Sequence, residues 1–196
     1  MSAPTKPRAI MLAGINGAGK TSASRALLAD TLKVTTFVNA DAIAQGINGF
    51  DPESAAFEAG RIMVERLRRL VEQRANFALE TTLAARTYAK WLREIGEAGY
   101  STHLFYFWLT SADLAVSRVA MRVSTGGHHI PEATIRQRYG RSLENLFSLY
   151  MPVVTTWKVY DNTTATYRLV AEGGQGFQPF VYDDGTWRRI QQGAKS

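Results

Sequence analysis

Short apolar runs alternate with longer segments of helical periodicity along the chain. The apolar runs have the length and the β-branched or aromatic content of strands, and they cover residues 8–13, 34–40, 77–79 and 102–108. Helical spacing of apolar positions predicts helices over 20–32, 53–73, 87–98 and 111–123. Such alternation is typical of βαβ units. We therefore expect one α/β domain over 1–196, with a doubly wound, mostly parallel sheet and flanking helices.

The last third of the chain has a less regular pattern. Two glycines and two histidines at 126–129 break the preceding helix, and Pro131 stands where the next helix would begin. Strands are predicted over 157–160 and 167–170. The pair Asp184-Gly185 separates the apolar runs 180–182 and 186–190 and suits a tight turn. We therefore expect a small C-terminal β-hairpin over about 178–191.

Residues 14–21, GINGAGKT, match the G-x-x-x-x-G-K-[ST] pattern of a phosphate-binding loop. The loop follows a predicted strand and opens a predicted helix, which is the context that the pattern requires. Its glycines allow the backbone to fold around phosphate oxygens. Lys20 would reach the β- and γ-phosphates of a nucleotide, and Thr21 would ligate Mg²⁺. The predicted nucleotide-binding residues are Gly14, Asn16, Gly17, Ala18, Gly19, Lys20, Thr21 and Ser22.

Two other structures are compatible with a glycine-rich turn between a strand and a helix. One is a turn that binds no ligand, and the other is the dinucleotide-binding turn of a Rossmann fold. The G-x-G-x-x-G spacing of the Rossmann turn is absent, and a lysine occupies the helix start. Phosphate binding is therefore the prediction for this loop.

Two acidic residues follow predicted strands and mark the carboxyl edge of the sheet. Asp41 follows the second strand in FVNAD, and Glu80 ends the third strand in NFALE. Ligands of open parallel sheets bind at this edge, so Asp41 is a candidate general base for a substrate hydroxyl. Glu80 has the placement of a carboxylate that organises Mg²⁺ together with Thr21. The alternatives are a helix N-cap for Asp41 and a surface position for Glu80.

Several arginines flank the glycine break at 126–127. Arg118 and Arg122 lie one helical turn apart before it, and further arginines follow in the next helix, namely Arg136, Arg138 and Arg141. Such a cluster predicts a lid over about 122–140 that places guanidinium groups on the transferring phosphate oxygens. For each arginine taken singly, a solvated helix face is the alternative. The predicted catalytic residues are Lys20, Asp41, Arg118 and Arg122.

Composition narrows the classes of function. The chain has no cysteine, which excludes disulfides and cysteine nucleophiles and favours a reducing compartment, so a cytoplasmic location is expected. No apolar stretch reaches the roughly 18 residues that span a bilayer, so no membrane association is expected. With 23 Lys and Arg against 17 Asp and Glu, the net charge is +6. This excess is compatible with solvated helix faces and also suits a small anionic ligand. No Lys/Arg-rich tract occurs, which makes nucleic acid an unlikely partner.

The motifs GINGAGKT, FVNAD, FALETT, SRVAMRV, GGHHIP, RQRYGR and VYDN together resemble the zeta-toxin-like family of P-loop kinases, over about residues 10–162. The resemblance implies a P-loop kinase fold, ATP or GTP with Mg²⁺ as cofactors, and phosphorylation of a sugar hydroxyl. In zeta toxins the acceptor is a UDP-N-acetyl amino sugar, a precursor of the bacterial cell wall. An antitoxin protein is a further candidate partner.

The resemblance also implies roles for acidic and polar residues. Asp41 is similar in position to the catalytic base of the family, and Glu80 and Thr82 to its substrate-side and metal-side contacts. Glu65, or nearby Arg61, matches a further substrate contact. The residues expected to bind substrate are Asp41, Arg61, Glu65, Glu80 and Thr82.

The arginine pattern departs from that of the family. Arg118 resembles the first of two phosphate-binding arginines. Counted from the proline, however, the second position holds His128, so its role passes to Arg122, Arg136 or Arg138. His128 and His129 lack the spacing of metal ligands and are interpreted as lid or loop residues.

The sequence as a whole predicts an Mg²⁺-dependent kinase that transfers phosphate from ATP to a hydroxyl of a small molecule. Two alternatives remain open. One is a nucleotide-binding regulator or toxin-module protein without phosphotransfer, and the other is a nucleic-acid 5′-hydroxyl kinase. Intact Asp41 favours the kinase over the regulator.

Overall fold

The computed structural model describes residues 5–24, 27–28, 32–127, 129–164 and 166–195. Its strands are β1 (Arg8–Ala13), β2 (Phe37–Val38), β3 (Phe77–Thr81), β4 (Ser101–Trp108), β5 (Thr156–Asp161), β6 (Arg168–Gly174) and β7 (Phe177–Val181). Its helices are α1 (Lys20–Ser24), α2 (Ala40–Ile47), α3 (Ala56–Glu72), α4 (Thr87–Glu97), α5 (Ala112–Ser124), α6 (Glu132–Asn145) and α7 (Asp184–Gly193). A π-helical turn, Leu146–Tyr150, continues α6.

The strands form a seven-stranded sheet in the order β2-β3-β1-β4-β5-β6-β7. The first five strands of this order run parallel, and β6 and β7 are antiparallel to their neighbours. Strand β1 is the middle one of the five parallel strands, and its last residue, Ala13, pairs with Thr81 of β3 and Tyr106 of β4. From β1 the chain continues to β2 and β3 on one side of this strand, and it then crosses to β4 on the other side. The predicted phosphate loop therefore leaves the sheet at the point where the strand order reverses, which is where ligands bind in such folds.

Both faces of the sheet are buried, as expected for a parallel sheet with helices on each side. Met11 of β1 packs into the cluster with α3 and α4, whereas Leu12 packs into the cluster with α5. This alternation explains why β1 is a continuous apolar run. The predicted α/β fold with a mostly parallel sheet is confirmed.

The C-terminal part of the chain contains a hairpin, but it is formed by β6 and β7 and not by the predicted strands 180–182 and 186–190. The hairpin turns at Gln175 and Gly176, where Gly176 has a φ of +78°. The expected strand over 186–190 is instead part of α7. The Asp183 side chain caps this helix by accepting a hydrogen bond from the Thr186 amide at 2.9 Å. Trp187 and Ile190, three residues apart, form its buried face.

Other differences concern the ends of elements. Strand β2 spans only Phe37–Val38 instead of 34–40. Helix α1 is described up to Ser24, and residues 25, 26 and 29–31 of the helix predicted over 20–32 lie outside the described part. Ser111 caps α5 by accepting from the Leu114 amide at 3.1 Å, as predicted. Within the described residues, no helix is long and apolar enough to cross a membrane.

Candidate active site

The phosphate loop between β1 and α1 depends on glycines whose backbone other residues do not adopt easily. Gly14, Gly17 and Gly19 have φ values of +136°, +81° and +79°. A Cβ atom on Gly14 would lie 2.2 Å from the carbonyl oxygen of Phe107 in β4. The glycines therefore let the loop turn sharply while lying close to the neighbouring strand.

A segment after β5 supports the outer side of this loop. The Asn162 side chain donates from Nδ2 to the carbonyl oxygen of Ala18 at 2.8 Å, and the Tyr167 hydroxyl donates to that of Gly19 at 3.1 Å. Arg118 in turn donates to the carbonyl oxygens of Asn162 and Thr163, at 2.8 and 3.0 Å. The structure thus places Arg118 against the segment that braces the loop.

Sequence reasoning missed Asn162 and Tyr167 as residues of the site. The VYDN motif contributed to the family resemblance, but nothing in its spacing assigns Asn162 a contact with the loop. Asn162 and its loop partner Ala18 are 144 residues apart in the chain, and they meet because β1 pairs with β4 and β4 pairs with β5.

Lys20 is buried, with 5% of its surface exposed. Its Nζ donates to the Ile15 carbonyl oxygen at 3.1 Å and lies 3.6 Å from Oε1 of Glu80. Burial lowers the pKa of Lys20, while Glu80 and then Asp41 act in the opposite direction. An anionic ligand at this position would relieve the cost of burying the charge.

Glu80 at the end of β3 connects three parts of the site. Its Oε2 accepts a hydrogen bond from the Thr21 hydroxyl at 2.9 Å and another from Nδ2 of Asn39, also at 2.9 Å. Its other oxygen faces Lys20. The alternative of a plain surface glutamate is therefore wrong, because the side chain is 10% exposed and engaged on both oxygens.

Asn39, which sequence reasoning did not single out, caps α2. Its Oδ1 accepts from the amides of Asp41 and Ala42, at 2.8 and 3.3 Å. The alternative of Asp41 as the N-cap is thus wrong, since Asp41 lies in the first turn of the helix. This position brings Asp41 to the wall of the cavity described next.

A cavity of about 540 Å³ lies in front of the phosphate loop. Its walls combine the loop, the start of α2, the end of β3 and the inner face of α6. The charged and polar residues that line it include Asn16, Lys20, Asp41, Glu80, Thr82, Arg138 and Arg141. Arg138 donates to Oδ1 of Asn16 in the loop, at 3.2 Å. The structure thus brings together the predicted loop lysine, both predicted acids and two of the five arginines.

The remaining arginines of the predicted lid lie elsewhere. Arg136 is on the outer face of α6, where it pairs with Asp113 at 2.7 Å and with Glu132 at 2.8 Å. Arg122 is exposed on α5, and its charge adds to the burial that lowers the pKa of Lys20. The predicted lid corresponds to the end of α5, the loop and most of α6; His128 lies outside the described residues.

The structure does not bring Arg61 and Glu65 to the cavity. Both are exposed on α3 and line a separate surface groove of about 870 Å³, and Glu65 pairs with Arg69 on the same face. Met63, two residues from each, points the other way and lines the cavity. Residues four apart share a helix face, whereas residues two apart do not. Because Met63 faces the cavity, α3 cannot also present Arg61 and Glu65 to it.

A parallel sheet with a phosphate loop after its middle strand, a buried loop lysine and a carboxylate at the end of the adjacent strand is the arrangement of the P-loop kinase fold. The family model described as Zeta toxin matches residues 1–168, and the chain belongs to this family. The resemblance predicted from the motifs is thereby confirmed. A protein of Haemophilus influenzae described as uncharacterized is 30% identical over 132 residues, which cover 67% of this chain and 92% of that protein.

Solved structures share the fold. A complex of AvrRxo1-ORF1 with AvrRxo1-ORF2 contains a chain with a TM-score of 0.76 at 16% identity, and the match covers 95% of this chain and 64% of that one. The PezAT toxin-antitoxin system of Streptococcus pneumoniae gives a TM-score of 0.65 at 17% identity, over 99% of this chain and 87% of that one. The chain thus spans just under two thirds of the chain that it matches in the AvrRxo1 complex.

Proposed function

We propose that the protein is an Mg²⁺-dependent phosphotransferase that moves the γ-phosphoryl group of ATP to a hydroxyl of a small molecule. The observation that carries the proposal is the single cavity that Lys20, Asp41 and Glu80 share with arginines of α6. The cavity combines positive charge that can bind phosphates with two carboxylates. Glu80 lies beside the Thr21 hydroxyl, and Asp41 is available to the acceptor.

The phosphate loop binds the nucleotide in this proposal. Its backbone amides surround the phosphates, and Lys20 exchanges the Ile15 carbonyl for phosphate oxygens. Burial lowers the pKa of Lys20 and so disfavours its charged form. The negative charge of a bound triphosphate acts in the opposite direction and stabilises the ammonium group. ATP is the expected donor, and GTP is the alternative.

The oxygen atoms beside the loop fit Mg²⁺. This ion takes oxygen ligands and usually keeps several waters, together with one or two protein oxygens and the substrate phosphates. The Thr21 hydroxyl and the Glu80 carboxylate present such oxygens within 2.9 Å of each other. When bound, Mg²⁺ neutralises charge on the β- and γ-phosphates.

Asp41 is the proposed general base. The acceptor hydroxyl oxygen forms a bond to the γ-phosphorus while the bond from that phosphorus to the β–γ bridging oxygen breaks, which releases ADP. The hydroxyl proton passes to the Asp41 carboxylate and from there to water. The exposed position of Asp41 at the cavity wall supports this role, because an acceptor can reach it from solvent.

The positive charge for the transition state comes from α6 in this proposal. Arg138 already contacts the loop through Asn16, and Arg141 lines the same cavity. Arg118 donates to two backbone carbonyls behind the loop, which supports a role in holding the loop. Arg138 is therefore the proposed phosphate-binding arginine. Arg122 is the second candidate, because its positive charge contributes to the lowered pKa of Lys20.

A UDP-N-acetyl amino sugar is the acceptor class that family membership supports. The structurally similar PezAT system is described as a toxin-antitoxin system. By analogy, we propose that an antitoxin protein binds this chain.

Phosphorus NMR tests the proposed activity. The protein is incubated with ATP, with or without Mg²⁺, and with UDP-sugars, nucleosides, free sugars or 5′-hydroxyl oligonucleotides. The expected result is a new phosphomonoester signal and ADP in the Mg²⁺ samples with one small-molecule acceptor, and none after EDTA. Transfer to oligonucleotides alone would identify a nucleic-acid kinase, and ATP binding without transfer to any acceptor would contradict the proposal.

A further inference from the structure

The side chain of Asn39 makes hydrogen bonds in two directions. Its Oδ1 accepts from the Asp41 and Ala42 amides, and its Nδ2 donates to Oε2 of Glu80. The orientation of the amide group follows from its partners, because two are donors and one is an acceptor. Rotating the group by 180° would place Nδ2 against backbone amides and Oδ1 against a carboxylate.

The shared partner of this network is Glu80. Its Oε2 accepts from Asn39 and from the Thr21 hydroxyl, each at 2.9 Å, while Oε1 lies 3.6 Å from Lys20. One carboxylate therefore connects the phosphate loop to the beginning of α2. Asp41 is two residues after Asn39, in the first turn of that helix.

Strand β2 gives this helix start little other support. It consists of Phe37 and Val38 only, and it pairs with β3 alone, at the edge of the sheet. A two-residue edge strand restrains the following residues weakly, so the side-chain bond to Glu80 supplies a fixed point just before Asp41.

We propose that Asn39 is a positioning residue that holds the Asp41 carboxylate at a fixed distance from the phosphate loop through Glu80. This inference rests on the proposed function, in which Asp41 accepts the proton of the acceptor. A displacement of about 1 Å at a reacting group reduces rates by as much as 100-fold. Loss of the bond to Glu80 therefore lowers kcat, while nucleotide binding by the loop is preserved.

Substitutions at Asn39 separate this role from helix capping. Serine and aspartate cap helices as well as asparagine does. Aspartate has no donor to offer Glu80, and the serine hydroxyl is on a side chain too short to replace the Nδ2 group that reaches Glu80. Asn39→Ser and Asn39→Asp therefore retain the cap and lose the connection. Asn48→Ser is the matched control, because Asn48 ends the same helix and also accepts from backbone amides, those of Phe50 and Asp51.

The experiment measures kcat, KM for both substrates and ATP affinity for the wild type and these variants, using the acceptor found by phosphorus NMR. Hydrogen exchange at the Asp41 and Ala42 amides reports the cap, and thermal melting reports folding. We expect roughly 10- to 100-fold lower kcat in both Asn39 variants, with ATP affinity and amide protection close to the wild type. Asn48→Ser keeps the wild-type kcat.

A double-mutant cycle identifies the group through which Asn39 acts. If it positions Asp41, adding Asn39→Ser to Asp41→Asn lowers the remaining activity by much less than it lowers that of the wild type. Unchanged kcat in folded Asn39→Ser and Asn39→Asp, or fully additive effects in the cycle, would overturn the inference while leaving the kinase proposal intact. A wild type that transfers phosphate to no acceptor overturns the proposed function itself, and the positioning role with it.

Discussion

The Lys20 ammonium group is almost completely removed from water and has one carbonyl and one carboxylate as neighbours. We expect Lys20→Met to weaken binding of a non-hydrolysable ATP analogue by about 1.5–3 kcal/mol, the cost of losing a hydrogen bond to a charged group. Isothermal titration measures the affinity. Lys90→Met is the control, since Lys90 is highly exposed on α4. Equal affinities in all three proteins would contradict the assigned contact.

The same lysine predicts a dependence of stability on pH. Burial lowers the pKa of Lys20 from the ordinary value of 10.5, so the folded protein releases this proton at a lower pH than the unfolded chain does. Between the two pKa values the unfolded state binds more protons, and the Lys20 contribution to the free energy of unfolding therefore rises with pH. Urea unfolding of the wild type and Lys20→Met from neutral pH to the usual lysine range measures this contribution. A difference between the two proteins that stays constant with pH would contradict the prediction.

Asp41 is tested by a substitution that preserves the size and polarity of the side chain but removes the proton acceptor. Because a general base typically contributes about 10²–10⁴-fold, Asp41→Asn should lower kcat by a factor in this range and leave ATP affinity unchanged. The loose transition state of phosphoryl transfer favours the lower end. Asp51→Asn, in the exposed loop between α2 and α3, serves as the control. Retained transfer in Asp41→Asn would remove Asp41 from the mechanism.

Helix α6 presents two arginines to different surroundings. Arg138 faces the cavity and Asn16, whereas Arg136 is held on the outer face by Asp113 and Glu132. We expect Arg138→Ala to reduce kcat by about 100-fold or more, because preorganised donors to developing charge contribute on that order. Arg136→Ala should leave kcat unchanged, since exposed ion pairs contribute little. Steady-state kinetics of both variants decides, and equal effects would contradict the assignment.

Local patterns in the sequence predicted the elements whose signal is contained in a few neighbouring residues. The phosphate loop after β1, the cap at Ser111 and the glutamate at the end of β3 were all placed correctly. The hairpin position was wrong because a pair suited to a tight turn, Asp184-Gly185, also suits the first turn of a helix capped by Asp183. The spacing of Trp187 and Ile190 was the signal for the helix.

Contacts between distant segments were beyond the reach of these patterns. The face of α6 that meets the loop depends on how that helix packs, so the sequence could not distinguish Arg138 from Arg136. The roles of Asn39 and Asn162 likewise depend on neighbours that are 41 and 144 residues away. Short polar residues at strand ends have many plausible partners, and only the fold selects among them.

The molecule combines a parallel core, which carries the candidate site, with an antiparallel extension at one edge of the sheet. Helix α7 attaches this extension through two indole rings, since Trp187 stacks on Trp157 of β5 with centroids 5.7 Å apart and planes at 6°. Gly173 of β6 makes room for the Trp157 ring, because a Cβ atom there would lie 2.5 Å from it. The stack thus connects α7 with β5 and β6, in the half of the sheet that lies away from the edge strand β2.

Removing one ring tests whether this extension is part of the cooperative fold. Trp187 is 9% exposed. Replacing such a buried aromatic residue with alanine costs about 3–5 kcal/mol, which for a chain of this size corresponds to a Tm lower by roughly 6–20 °C. ATP affinity at a temperature well below Tm should be preserved, because Trp187 does not line the cavity. Calorimetry of Trp187→Ala beside Phe180→Ala, whose ring is 60% exposed, measures the difference. A similar, small shift in both variants would show that α7 contributes little to the stability of the core.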